Sequence, residues 1–180
     1  LQTLGEYAFY GCYALNSLTL NEGLKTISDA AFQYCDAIES LEIPSTVKSI
    51  GYDSFSSCSS LKSVTLNEGL ENIGSYAFAY CEVLESIILP STVKTIGYSA
   101  FSNCNSLENI TLNEGLEFIE TSAFNSTAIE SIEIPTTVKE INYGLFTYCY
   151  NLKSVTLHEG LTAICGGSFQ SCPNLTEILI

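Results

Sequence analysis

The sequence predicts an α/β repeat solenoid: a horseshoe of about eight coils with a parallel β-sheet on its concave face and short helical or 3-10 turns on its convex face. The first observation behind this prediction is a phenylalanine that recurs every 23 residues, with one interval of 22 residues. The second is that one copy is too short to bury its own apolar side chains, so neighbouring copies must stack. The series spans residues 1–180 as one domain and consists of Phe9, Phe32, Phe55, Phe78, Phe101, Phe124, Phe146 and Phe169.

A short β-strand is predicted in every copy from alternating polar and apolar residues. In one copy Val64 and Leu66 are expected to point inward, while Ser63 and Thr65 point outward. Stacked copies then place these strands side by side in a parallel sheet, about 4.8 Å apart.

A turn of alternating type follows each strand. Residues 67–70 read Asn-Glu-Gly-Leu, whereas residues 90–93 read Pro-Ser-Thr-Val. Glycine permits positive φ and proline removes a sheet donor, so either sequence ends the strand. The alternation indicates that a unit of two copies was duplicated. The lone histidine, His158, stands in the Asn position and is interpreted as a turn variant.

The segment after the turn is predicted to form one or two helical turns. In residues 73–81 the apolar side chains are spaced about four residues apart, as on one face of a helix. The segment is too short for a longer helix.

Seven of the eight cysteines stand three residues after the repeated phenylalanine. We interpret them as a column of buried free thiols, because free cysteine packs as a small hydrophobe. Disulfides between adjacent coils are sterically possible, but parallel side chains and an odd count disfavour them. Cys165 stands in a different, more exposed position. The seven are Cys12, Cys35, Cys58, Cys81, Cys104, Cys149 and Cys172.

Composition argues against several functions. The chain has 20 acidic residues, six lysines and no arginine, for a net charge of −14, which disfavours nucleic acid. No apolar run approaches the roughly 20 residues that a membrane span needs. No cofactor, metal site or catalytic constellation is expected, because the cysteines spread along a column and calcium-loop spacing is absent.

Two charged columns are predicted along the coils. Glu22, Glu68, Glu114 and Glu159 recur in every second coil and are interpreted as a solvated edge. In the other column lysine and glutamate alternate between coils, which we interpret as support for the stacking register. It contains Lys25, Lys48, Glu71, Lys94, Glu117, Lys139 and Thr162.

The repeat resembles the BspA-like (Treponema-type) leucine-rich repeat family. The resemblance is carried by the pattern A-F-x-x-C-x-x-L-x-x-I-x-[IL]-P/N, as in residues 31–47. It implies a solenoid displayed on the surface of bacteria or of some mucosal protists, where members act in adhesion. The pattern is one residue short at positions 124–129, where we expect a local change of curvature rather than a site.

The concave face is the expected ligand-binding surface, because solenoids bind through their extended inner face. Its side chains are small and hydroxylated, which also suits a merely solvated sheet. Rows of tyrosine on the outer side are the alternative contact surface for protein or sugar. The candidate residues are Ser17, Thr19, Ser40, Glu42, Ser63, Thr65, Ser86, Ile88, Asn109, Thr111, Ser131, Glu133, Ser154 and Thr156.

Two functions follow as hypotheses. The first is a non-catalytic extracellular module that adheres to host proteins or other cells, with a matrix protein or a glycan as partner. The second is a structural or targeting repeat segment whose catalytic or assembly domain lies elsewhere in a larger protein. The termini carry no polar caps, so we expect a piece of a longer chain, with end-to-end self-association as a further possibility.

Overall fold

The computed structural model describes all 180 residues as a parallel β-solenoid of about eight coils, without any helix. Most coils contribute one strand to a main sheet and one to a second sheet, and a ladder of turns completes each coil. No element is a helix with the length and hydropathy needed to cross a membrane. Contacts between neighbouring coils, repeated along the chain, hold the fold together.

The main sheet contains the strands predicted from the alternating pattern. It has a four-stranded part of β3, β5, β7 and β9 and a three-stranded part of β11, β13 and β15, and all pairs are parallel. Val64 and Leu66 are buried while Ser63 and Thr65 are exposed, so the strand prediction is confirmed for this copy. The first copy forms no strand at residues 17–20. The strands are β3 (Ser40–Ile43), β5 (Ser63–Leu66), β7 (Ser86–Ile88), β9 (Asn109–Thr111), β11 (Ser131–Glu133), β13 (Ser154–Thr156) and β15 (Glu177–Leu179).

A second sheet, not anticipated from the sequence, follows the turn in each coil. Its strands have two residues each, and in most of them an exposed or half-exposed residue precedes a buried isoleucine or leucine. Six strands form one part and two strands form another. They are β1 (Thr3–Leu4), β2 (Thr26–Ile27), β4 (Ser49–Ile50), β6 (Asn72–Ile73), β8 (Thr95–Ile96) and β10 (Phe118–Ile119), then β12 (Glu140–Ile141) and β14 (Ala163–Ile164).

The predicted helical or 3-10 turns are wrong, because this segment forms a ladder of turns instead. The Phe78 amide donates to the Ala100 carbonyl of the next coil at 2.8 Å, whereas the Ala79 amide donates back to Tyr76 at 3.0 Å. The amides of this segment therefore donate alternately to the next coil and to their own coil. In a helix every amide donates to the carbonyl four residues earlier in the same segment, so this pattern is not helical.

Positive φ at two positions in each coil also breaks any helix. Tyr76 and Tyr80 have φ of 56° and 60°. The apolar spacing of four residues thus marks this turn ladder and not a helix face. The pairs are Tyr7 and Gly11, Ala30 and Tyr34, Asp53 and Ser57, Tyr76 and Tyr80, Ser99 and Asn103, Ser122 and Ser126, Gly144 and Tyr148, and Gly167 and Ser171.

The core is a ladder of stacked phenylalanine rings. Neighbouring rings of the repeated series have centroids 5.1–5.8 Å apart and planes within 5–14° of parallel. Six of the eight rings are fully buried, and the two at the ends, Phe9 and Phe169, are partly exposed. Each coil therefore depends on both neighbours for the burial of its largest side chain.

The cysteine column lies beside the phenylalanine ladder, and all eight cysteines are free thiols. Cys104 Sγ donates to the carbonyl oxygen of Phe78, in the preceding coil, at 3.1 Å. Burial raises the pKa of the Cys104 thiol to about 12, so it keeps its proton and this bond at neutral pH. The same bond, at 3.0–3.3 Å, is made by Cys35, Cys58, Cys81, Cys149 and Cys172.

The two turn types bond to each other across neighbouring coils. Glu68 accepts hydrogen bonds from the backbone N–H of Ser91 at 3.0 Å and from its hydroxyl at 2.9 Å, and these donors hold the pKa of the Glu68 carboxyl below its usual value. The Gly69 amide donates to Thr92 Oγ1 at 2.9 Å. These glutamates are exposed, but they also fasten one turn to the next. Equivalent contacts join Glu22 with Ser45 and Glu114 with Thr136.

The alternating charged column forms two of the four ion pairs. Lys48 contacts Glu71 at 3.3 Å and Lys94 contacts Glu117 at 3.8 Å, all with exposed side chains. A second column, missed in the sequence, pairs residues just before the main-sheet strands. It consists of Glu39 with Lys62 at 3.4 Å and Glu130 with Lys153 at 2.9 Å.

Lys94→Glu is expected to lower the melting temperature slightly, because it leaves a carboxylate between Glu71 and Glu117. An exposed pair contributes at most about 1 kcal/mol, which corresponds to about 2–4 °C for a chain of this size. Thermal unfolding followed by circular dichroism at low salt, and again at 1 M NaCl where screening should erase the difference, measures this. Lys25→Glu, beside Lys48, is the control and should not lower the melting temperature. A higher melting temperature for Lys94→Glu would contradict the expectation.

Candidate functional site

The outward face of the main sheet holds the predicted ligand-binding side chains. Twelve of the fourteen lie in strands β3, β5, β7, β9, β11 and β13. Ser17 and Thr19 occupy the same position in the first coil, where they are exposed without belonging to a strand. The structure thus brings the predicted residues onto one surface. That they bind a ligand stays a prediction.

Hydroxyl groups dominate this face, and the in-register stacking of the outward positions aligns them in rows. Ser40 pairs with Ser63, Ser63 with Ser86, and Ser86 with Asn109, one strand spacing apart. The charged candidates are two carboxylates, Glu42 and Glu133, and the set contains no basic side chain. The face therefore offers many hydrogen-bonding groups and some negative charge to a partner that lies along it.

Ile88 is the one apolar side chain among the fourteen predicted residues. Its side chain is 69% exposed, although it stands in β7 between polar neighbouring strands. It borders an open cleft of about 470 Å³ that also includes Ser63, Thr65 and Ser86. Single exposed apolar side chains are common on protein surfaces, so Ile88 counts as a candidate contact point only together with the cleft that it borders.

A second cleft on the same face lies where the main sheet is interrupted between β9 and β11. It measures about 520 Å³, and six of the predicted residues line it. The second sheet is interrupted between β10 and β12, so both breaks coincide with the short copy at 124–146. Sequence reasoning expected only a change of curvature here. The six residues are Asn109, Thr111, Ser131, Glu133, Ser154 and Thr156.

The tyrosines form exposed rows on the turn ladder. Rings of Tyr52, Tyr76 and Tyr98 meet edge to face, with centroids 5.6 and 5.2 Å apart. Partial burial, together with the neighbouring Tyr98 hydroxyl, raises the pKa of Tyr76 to about 12. Tyr34, Tyr80, Tyr148, Tyr52, Tyr98 and Tyr143 are each 37–61% exposed. These rows remain an alternative contact surface.

His158 is confirmed as a turn variant. Its Nδ1 accepts the Gly160 amide at 3.1 Å, which leaves Nε2 to donate to the Val138 carbonyl of the preceding coil at 3.0 Å. Asn113 bonds the preceding coil and Gly115 in the same way. Both ring nitrogens are thus used in holding the turn. No group of three or more His, Cys, Asp or Glu side chains could hold a metal ion.

Similarity to solved structures supports the same architecture. A leucine-rich repeat protein from Bacteroides ovatus ATCC 8483 is 31% identical with a TM-score of 0.86, and the match covers 99% of this chain and 52% of that protein. The T. pallidum leucine rich repeat protein is 29% identical with a TM-score of 0.80, over 88% of this chain and 76% of that protein. The chain therefore spans about half the length of the Bacteroides ovatus protein.

More distant similarity concerns the fold alone. A leucine rich cell surface protein from Faecalibacterium prausnitzii A2-165 is 21% identical with a TM-score of 0.52, over 99% of this chain and 69% of that protein.

No curated protein matches the chain significantly. The model of the BspA type leucine rich repeat region matches six copies, over residues 1–88 and 71–180. Since these matches span the chain, it belongs to the BspA type leucine rich repeat family.

Proposed function

We propose that this chain is a non-catalytic, surface-displayed module that binds a protein partner across the outward face of its main sheet. Adhesion to host proteins or to other cells is the role that we assign to this binding. The observation that carries the proposal is the exposed Ile88, which lies among hydroxyl side chains of the main sheet and borders an open cleft.

The repeat architecture supports protein binding because stacked coils present one long, regular surface. A partner lying across the strands meets a hydroxyl group in most coils, and it reaches both open clefts of the face. Such a partner forms hydrogen bonds to the serines and threonines, while Ile88 supplies the apolar contact that usually dominates binding energy.

Charge indicates the kind of protein segment that fits. The chain carries a net charge of −14, and Glu42 and Glu133 are exposed on the binding face. Complementary potentials accelerate association and exclude wrong partners. A neutral or basic segment of a matrix protein therefore suits this surface better than an acidic one.

Ile88→Lys is expected to weaken binding to a panel of immobilised extracellular-matrix proteins. Loss of an apolar anchor at an interface centre costs about 2 kcal/mol or more, which corresponds to roughly a 30-fold weaker dissociation constant. Surface plasmon resonance measures the change on the panel member that the unmodified chain binds. Circular dichroism checks that the variant remains folded.

Phe118→Lys is the matched control, because Phe118 is also an exposed apolar strand residue, at 61%, but lies in the second sheet. It should leave the affinity unchanged. Loss of binding in Phe118→Lys with full binding in Ile88→Lys would move the partner to another face. Binding to no panel member would count against matrix adhesion.

A further inference from the structure

The one-residue deletion after Phe124 opens a notch on the flank of the solenoid. In every other coil an amide closes a tight turn at this place, as when Leu107 donates to the Cys104 carbonyl at 3.0 Å. The equivalent residues 127–129 are one position too few for this turn. The resulting notch has a volume of about 410 Å³ and includes Ala128 in its lining.

The short coil loses two backbone hydrogen bonds. The amides of Ile129 and Glu130 make no hydrogen bond within the chain, whereas the equivalent amides of Leu107 and Glu108 donate to Cys104 and Glu85. Ile129 is fully buried, and an unpaired buried amide costs about as much as a lost hydrogen bond. Ser126, Thr127 and Ala128 of the short coil line the notch, whereas the fully buried Ile129 does not.

The side chains of the notch are neutral and rich in amides. Asn105 and Asn151 make no side-chain hydrogen bond within the chain, and the Asn103 amide donates only to Ser102, at 2.9 Å. No Lys, His, Asp or Glu contributes to the lining. Carboxamides both donate and accept hydrogen bonds, so they match hydroxyl groups, whereas a charged ligand would lose hydration without gaining a counter-charge.

Two tyrosine rings complete the lining. Tyr148 and Tyr150 are 42% and 57% exposed, and their rings lie 6.2 Å apart with planes at 41°. The rings offer apolar faces with polar tips. A ligand that uses all these groups is neutral, carries several hydroxyls and has one apolar face.

We propose that the notch binds a neutral pyranose sugar unit. One face of the sugar packs on Tyr148 or Tyr150, and its hydroxyls bond to the side-chain amides of Asn105 and Asn151. The volume falls within the roughly 300–1,000 Å³ that is typical of small-molecule sites. This site lies on the flank and is independent of the protein partner proposed for the main-sheet face.

The test is a titration followed by amide resonances in ¹⁵N-labelled protein. The probes are methyl β-glucopyranoside, methyl β-galactopyranoside and N-acetylglucosamine, with N-acetylneuraminic acid as the charged comparison. We expect at least one neutral sugar to shift the resonances of residues 127–130 with a dissociation constant of about 1 mM, and the charged sugar to shift none. An array of immobilised glycans separates free sugars from sugars at the ends of longer chains, and binding to either supports the site.

Three variants make the test specific. Tyr148→Ala should weaken binding at least tenfold, whereas Tyr80→Ala, in the same repeat position of a regular coil, should have no effect. Insertion of one residue between Thr127 and Ala128 restores the regular length and should abolish binding without lowering the melting temperature.

Three outcomes would overturn the proposal: no resonance shift at residues 127–130 with any neutral sugar, equal losses in the two tyrosine variants, or full binding after the insertion. Since none of the three variants changes Ile88, failure here leaves the proposal for the main sheet standing.

Discussion

Replacing Phe78 with alanine is expected to lower the free energy of unfolding by about 3–5 kcal/mol, the usual range for a buried phenylalanine. Phe78 is fully buried, and its ring stacks on Phe55 at 5.4 Å and on Phe101 at 5.5 Å. Alanine removes both ring contacts at once and leaves a cavity between coils that cannot close without shifting the sheets. Urea unfolding followed by circular dichroism and by tyrosine fluorescence measures the loss.

Phe118→Ala is the control for this experiment. Phe118 lies in β10 and is 61% exposed, so its removal should change stability by no more than about 0.5 kcal/mol. Two probes are needed, because a repeat array does not always unfold in one step. If both variants lost the same free energy, the stacked ring ladder would not be the core element described above.

Gly69→Ala is expected to destabilise the array for two reasons. Gly69 has φ of +114°, which an alanine adopts only with strain of about 1–3 kcal/mol. An added Cβ would also collide with the backbone carbonyl oxygen of Ser45 in the preceding coil. Overpacking of this kind costs about another 1–3 kcal/mol, because the turn must move away from its neighbour.

Gly23→Ala separates these two causes. Gly23 has φ of +99° and its amide makes the same 2.9 Å bond to the next coil, to Thr46, but no atom lies within 4 Å of its added Cβ. The difference in free energy of unfolding between the two variants, from urea titrations, therefore isolates the collision. Equal losses would show that Ser45 yields without cost.

The features that depend on regular spacing were predicted correctly from the sequence. The interval between phenylalanines located the ladder, and the alternation in residues 63–66 located the main-sheet strand and its outward side chains. Both succeed because burial in a stacked array is decided by position within the copy. The placement of Ser40, Ser63 and Ser86 on one face follows from the same rule.

The turn ladder was missed because its spacing resembles that of a helix. Residues 73–81 place apolar side chains about four apart in either structure. What decides between them is the supply of hydrogen-bond acceptors from the next coil, such as Ala100 for Phe78, which local sequence does not reveal. Two-residue strands such as Asn72–Ile73 are likewise too short to show an alternating pattern.

The notch could have been suspected from the missing residue alone. The sequence shows that the copy after Phe124 is short, but either of two outcomes fits that fact. The neighbouring coils could close over the gap, or they could leave it open with amides unpaired. Only the positions of Asn105, Tyr150 and Ala128 around an open notch distinguish these outcomes.

The bonding between unlike turns sets a rule for how such an array changes in length. Glu68 requires a Ser or Thr turn in the coil after it, as Ser91 provides. Losing a single coil would bring two turns of the same type together and leave the carboxylate without its donors. Recombination between copies is thus expected to add or remove coils in even numbers, so that copy number in lineages of this protein changes in steps of two.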